Sequence, residues 1–123
     1  MNVLIVDDNE PAADLLQELL SLQDHTARCA YTAQQALDAA SNETFDAALV
    51  DLTLPDLPGT EVARRLRAEA GKRPFVLVAI SGFAATDVTG AAGLFDHYLQ
   101  KPIDFDALDR ILAVAVARLA AAR

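Results

Sequence analysis

Tryptophan is missing from the chain, cysteine occurs once, and no apolar run approaches the ~20 residues needed to span a bilayer. The single Cys29 excludes an internal disulfide, and with only two isolated histidines, His25 and His97, it leaves no ligand set for zinc. A small buried core residue is the simpler expectation for Cys29, and ordinary surface or strand positions are expected for the histidines. The opening MNVLIVDD lacks the basic stretch and small-residue cleavage site of a secretory signal, so a cytoplasmic protein with no membrane partner is expected. Positive charge is also short: ten Lys and Arg face 18 Asp and Glu, a net charge of −8. Nucleic-acid phosphates are bound by clustered bases that release counterions, so direct nucleic-acid contact is disfavoured and proteins or cations are better partners. Half of the bases do fall together, as Arg64, Arg65, Arg67, Lys72 and Arg73. A solvated helix face explains them more simply than a docking patch.

What is present is an alternation. The 123 residues suit one domain with a single core. Compact apolar runs at Val3 to Val6, Ala47 to Val50 and Phe75 to Ile80 read as strands buried on both faces, with weaker candidates at Ala27 to Tyr31 and around Tyr98 and Leu99. Helical patterns lie between them. Pro11 suits a first helical turn ahead of Leu15, Leu16, Leu19 and Leu20. Thr32 can cap a helix carrying Ala36, Leu37 and Ala40, and Thr60 one carrying Val62, Ala63 and Leu66. The last helix starts at a capping Asp104 and repeats Leu108, Ile111, Leu112, Ala115 and Leu119 on one face. Alternating strands and helices imply right-handed βαβ units, hence a doubly wound α/β domain of five parallel strands and five helices. No internal repeat, low-complexity tract or linker divides the chain. Ligands of such sheets bind beyond the carboxyl ends of the strands, where the strand order reverses.

The residues that follow the apolar runs are Asp7 and Asp8, then Asp51, Ser81 and Lys101. A lone Asp or Ser there is explained by capping or a turn. Jointly, these groups share one small site, and three carboxylates at ~4 Å in an effective dielectric near 20 cost roughly 4 kcal/mol for each like-charged pair. Lys101 supplies one positive charge. A hard divalent cation with oxygen ligands balances the cluster better, and a few carboxylates that leave room for water suit Mg²⁺.

The ordered set Asp7-Asp8, DLTLPDLPG from Asp51 to Gly59, Ser81-Gly82 and Lys101-Pro102 resembles the receiver domains of two-component response regulators (the CheY-like superfamily) over essentially the whole chain, residues 1–123. The resemblance implies a flavodoxin-like fold with strand order 2-1-3-4-5 and a phosphorylation-dependent switch. In it, Asp51 is the phosphoacceptor. Asp8, Asp51 and the backbone carbonyl of Thr53 hold Mg²⁺, while Asp7 acts on the metal through water. Ser81 hydrogen-bonds the acyl phosphate, Lys101 pairs with a phosphoryl oxygen, and the Lys101–Pro102 bond is cis, which would help to aim the lysine. Tyr98 matches the aromatic that turns inward with Ser81 on phosphorylation. The implied partners are a histidine kinase or histidine phosphotransfer protein, and downstream a protein target or a second copy of the chain. The domain would catalyse only its own phosphorylation and dephosphorylation. A stand-alone module, as Met1 suggests, and a domain cut from a hybrid kinase or larger regulator are both left open by the sequence.

Two stretches depart from the family pattern. Residues 84–93, expected to hold the fourth helix, contain Thr86, Val88, Thr89, Gly90 and Gly93, so a short, frayed or displaced helix is expected. The final helix adds Ala113, Val114, Ala117, Ala120 and Ala121 outside its core stripe, which suits either an interface or plain helix propensity. Thr53 and Phe83 flank the phosphoryl site and could tune water access to it. Pro58 stiffens the loop entering the third helix. Three other functions compete. A phosphatase of the haloacid-dehalogenase type also uses an Asp nucleophile and Mg²⁺, but it wants DxD where Leu52 and Thr53 follow Asp51. A flavin or nucleotide binder wants a Gly-rich loop where Asp7-Asp8-Asn9 stands. A phosphate-independent interaction receiver is disfavoured because every key position is filled.

Overall fold

The computed structural model describes residues 1–52, 54–82 and 95–121. In chain order they form β1 (Asn2–Val6), α1 (Glu10–Ser21), β2 (Thr26–Ala30), α2 (Ala33–Asn42), β3 (Ala47–Asp51), α3 (Gly59–Ala70), β4 (Val76–Ser81), β5 (His97–Gln100) and α4 (Phe105–Ala121). The five strands make one parallel sheet in the order β2-β1-β3-β4-β5. The expected fold class is therefore the observed one. Four helices are described; the expected helix at 84–93 lies outside the described residues.

Strand parity builds the core. Val3 and Ile5 of β1, Ala47 and Leu49 of β3 and Val76, Val78 and Ile80 of β4 face one layer, where Leu16 and Leu20 of α1 and Leu108 and Leu112 of α4 close over them. Leu4, Val6, Ala48, Val50 and Leu77 face the other, under Ala33 and Ala36 of α2 and Val62, Ala63 and Leu66 of α3. Buried on both faces, β3 and β4 carry the most continuous apolar runs. The edge strands β2 and β5 are partly exposed, which is why their sequence signals are weak. Cys29 sits on the β2 edge and is only partly buried, short of the fully buried residue expected. Its thiol donates to the Ala13 carbonyl at 3.3 Å, and burial, followed by the nearby Asp14, pushes its pKa up to about 11.

The helix starts follow side-chain capping at three of four places. Asn9 accepts from the Ala12 amide at 3.2 Å just before Pro11, Thr32 accepts from the Gln35 amide at 3.1 Å, and Asp104 accepts from the Asp106 amide at 3.0 Å. The expected Thr60 cap is not used. α3 starts at Gly59 behind Pro58, whose φ of −60° is already set for the helix entry, and no side chain caps it. The start moves upstream because Gly59 packs against the end of β3, as described below. Along α1, Leu16 and Leu20 are buried but Leu15 is half exposed, so the apolar stripe is narrower than its four leucines suggest. No described helix is long and apolar enough to cross a membrane.

Candidate phosphoryl site at the strand ends

The order of the sheet reverses between β1 and β3, and the ends of these two strands carry the acids. The Asp7 amide still bonds the Ala30 carbonyl of β2 at 3.0 Å, so Asp7 is fixed by the sheet itself. Asp51 is the last residue of β3, and the next amide, Leu52, bonds the Ile80 carbonyl of β4 at 3.0 Å. On the far side the Lys101 amide bonds the Ser81 carbonyl at 2.7 Å. Sheet hydrogen bonds thus position the backbone of every one of these groups before any side chain is considered.

The side chains then converge. Asp7, Asp51 and Ser81 are buried, with relative exposures of 1%, 2% and 1%, whereas Asp8 is exposed. The Lys101 ammonium lies 3.0 Å from Oδ2 of Asp51 and 3.0 Å from Oδ2 of Asp7. Among the described residues it donates a directed hydrogen bond to Asp51, while its contact with Asp7 is charge to charge. Oδ1 of Asp7 accepts from the Asn9 amide at 3.0 Å, while its buried Oδ2 accepts no hydrogen bond among the described residues. Carboxylate oxygens of Asp7, Asp8 and Asp51 all lie within 4.8 Å of one another.

These distances decide the electrostatics. Burial, more than anything else, raises the Asp7 carboxyl; the Asn9 amide and Lys101 pull it down, and Asp51 adds to the rise. For Lys101, burial works to lower the ammonium, but the close contacts with Asp51 and Asp7 and their charges outweigh it and leave the group raised. One ammonium therefore serves two buried carboxylates and a third nearby. A buried carboxylate oxygen with no hydrogen bond, beside two further acids, fits a hard cation bound through oxygen.

The other expected residues fall as follows. Tyr98 of β5 pairs in register with Ala79, on the sheet face that also carries Ser81. It is half-buried, its ring meets Phe95 edge-on at 5.8 Å and 64°, and burial raises its hydroxyl. The Lys101–Pro102 bond is cis. Thr53 and Phe83 lie outside the described residues. The basic cluster on α3 and beyond is largely committed within the chain: Arg64 and Arg65 pair with Glu61, Arg67 with Asp96, and Arg73 donates to the Phe45 carbonyl. His97 lies in β5, and His25 sits in the turn before β2, 3.3 Å from the Met1 amine.

Two residues escaped the reading of single positions. A Cβ on Gly59 would lie 2.4 Å from the Asp51 carbonyl oxygen and 2.6 Å from the Leu52 Cα. Only glycine lets α3 approach the backbone of Asp51 this closely, and the Gly59 amide bonds the Leu52 carbonyl at 3.2 Å. Asp56, in the same loop, accepts from the Ala33 amide at 2.9 Å and the Gln34 amide at 3.0 Å at the start of α2. Both residues stand in the DLTLPDLPG segment, but their contacts are too distant in sequence for local pattern to find.

A parallel sheet wound from both sides, with its polar groups gathered where the strand order reverses, defines the flavodoxin-like class. Within that class the chain belongs to the response regulator receiver domain family, whose model matches residues 3–113. Response regulator ArlR of Staphylococcus haemolyticus is 32% identical over 114 residues, which are 92% of this chain and 52% of that protein. The chain thus spans about half the length of the curated relatives it matches. A CheY-like receiver domain from Methylobacillus flagellatus superposes with a TM-score of 0.85 at 37% identity, covering 94% of this chain and 98% of that one. A response regulator from Burkholderia pseudomallei, solved with a phosphorylated aspartic acid, calcium and citrate, has a TM-score of 0.76 at 27% identity, covering 87% of this chain and 63% of that one.

Proposed function

We propose that residues 1–123 act as one phosphorylation-controlled switch, taking a phosphoryl group onto Asp51 from a cytoplasmic histidine kinase or phosphotransfer protein with the help of Mg²⁺. The observation that carries this reading is the Lys101 ammonium placed 3.0 Å from both Asp51 and Asp7, with three carboxylates within 4.8 Å of one another. Phosphoryl transfer through a loose transition state asks for in-line positioning and charge neutralisation rather than a strong base, and a carboxylate nucleophile meets that need. An Asp51 oxygen forms the O–P bond as the P–N bond to the donor histidine breaks. Lys101 follows the charge from the carboxylate onto a phosphoryl oxygen, and the Ser81 hydroxyl donates to another. Asp8, Asp51 and the Thr53 carbonyl would hold the metal, with Asp7, whose Oδ2 accepts no hydrogen bond among the described residues, acting through water. Bound there, Mg²⁺ supplies positive charge to the transferring oxygens.

The product adds about −1.5 to −2 charges at a buried position. Ser81 is drawn toward them, and Tyr98 on the same sheet face turns inward, shifting a two-state equilibrium at the surface near β5 and α4. That surface passes the signal to a protein target or a second copy of the chain. The activity is confined to the domain's own phosphorylation and dephosphorylation. Incubation with acetyl phosphate, with Mg²⁺ or with a chelator, followed by intact mass, tests the reading. The expected result is a gain of one phosphoryl group that requires the metal and vanishes in Asp51→Asn; an equal gain in that variant, or with chelator, contradicts it.

A further inference from the structure

The loop that follows the phosphoacceptor is held at three points. Its ends meet where the Gly59 amide bonds the Leu52 carbonyl. Leu54 and Leu57 pack onto the core layer under α2 and α3. Between these leucines Asp56 reaches out of the loop to α2, accepting from the Ala33 amide at 2.9 Å and the Gln34 amide at 3.0 Å, one bond to each carboxylate oxygen.

This is not how helix starts are ordinarily satisfied. The first amides of a helix usually bond the side chain just ahead of it in sequence. On α2 that residue is Thr32, which already accepts from the Gln35 amide. The two remaining donors are taken by a residue 23 and 22 positions away, which stands five residues after Asp51. A charged, two-pronged bond to a helix N-terminus is favoured by both the hydrogen bonds and the helix dipole. It joins the loop to an element that carries none of the site residues.

We infer that Asp56 is a positioning residue for the Asp51 site: its carboxylate fastens the loop after β3 to the N-terminus of α2, so that metal binding at Asp51 depends on that bond. The inference rests on the proposed function, in which this same loop supplies the Thr53 carbonyl to the metal. Groups that orient metal ligands from behind govern metal affinity by about tenfold or more. A bond to the rigid start of α2 does this from outside the site, with no atom of Asp56 touching metal or phosphate.

Three variants of the full chain separate positioning from simple helix capping. Asp56→Ala removes both loop-to-helix bonds. Thr32→Ala removes the neighbouring cap of the same helix and leaves the loop untouched. Asp56→Asn keeps one acceptor oxygen. Mg²⁺ affinity by titration calorimetry and the rate of phosphoryl gain from acetyl phosphate are read beside the melting temperature. Asp56→Ala is expected to weaken Mg²⁺ binding about tenfold and to slow phosphorylation, with Asp56→Asn between it and the wild type. Thr32→Ala is expected to melt earlier with Mg²⁺ affinity unchanged. Wild-type metal affinity in Asp56→Ala, or an equal loss in Thr32→Ala, overturns the inference. Should Asp56→Ala not fold, Asp56→Asn decides: weaker Mg²⁺ binding supports the inference and unchanged binding overturns it. A wild-type chain that neither binds Mg²⁺ nor gains a phosphoryl group would remove the proposed function, and this inference with it.

Discussion

Asp7 is the residue at which stability and chemistry pull apart. Its carboxylate is buried, is raised by that burial and by Asp51, and keeps one oxygen without a hydrogen bond. Replacing it with the uncharged isostere removes a desolvated charge and a repulsion with Asp51, while Lys101 keeps its bond to Asp51. Asp7→Asn is therefore expected to stabilise the metal-free chain at neutral pH, by about 1 kcal/mol, and to weaken Mg²⁺ binding. Urea unfolding with and without the metal checks both halves; a less stable metal-free variant contradicts the electrostatic account. The identity of these groups was legible because each stands at the end of an apolar run, Asp7, Asp51 and Ser81 directly after it and Asp8 and Lys101 one residue further on. Their inequality was not. That Asp7 is buried and Asp8 exposed follows from the sheet bond of the Asp7 amide, which no local pattern reports.

Among the elements, those whose starts depend on neighbouring side chains were readable, as Thr32 and Asp104 illustrate. α3 was displaced because its start is set by a tertiary contact instead. Gly59 lies against the backbone of Asp51 and Leu52, atoms that cannot swing aside as a flexible side chain would. Gly59→Ala should cost about 1–3 kcal/mol through overpacking and shift the amide resonances of Asp51 and Leu52; denaturation of wild-type steepness and midpoint would argue against the close approach. The start of α2 carries a pH signature. The Ala33 and Gln34 amides hold the Asp56 carboxyl below the usual carboxylate range. A group depressed on folding contributes stability that is present above its unfolded value, near 3.9, and lost as pH falls through its folded one. Acid unfolding should therefore show a smaller loss over that window in Asp56→Ala than in the wild type. Identical acid profiles for the two chains would contradict this.

For the whole molecule, alternating strand and helix patterns were enough to give the parallel sheet, because βαβ handedness leaves few arrangements. The edges were harder. β2 and β5 each show water one face, and the apolar signal there thins to single residues such as Ala30 and Leu99. The outer side of α4 remains apolar in the fold, with Val114 and Val116 exposed beyond the buried stripe of Leu108, Leu112 and Ala115. All the roles assigned around the β1–β3 switch point depend on one covalent event. After incubation with acetyl phosphate and Mg²⁺, reduction of the acyl phosphate with borohydride followed by peptide fragmentation identifies the residue that carried it. The label is expected on Asp51 alone; a label on Asp7, Asp8 or any other residue with Asp51 unmodified would contradict the account.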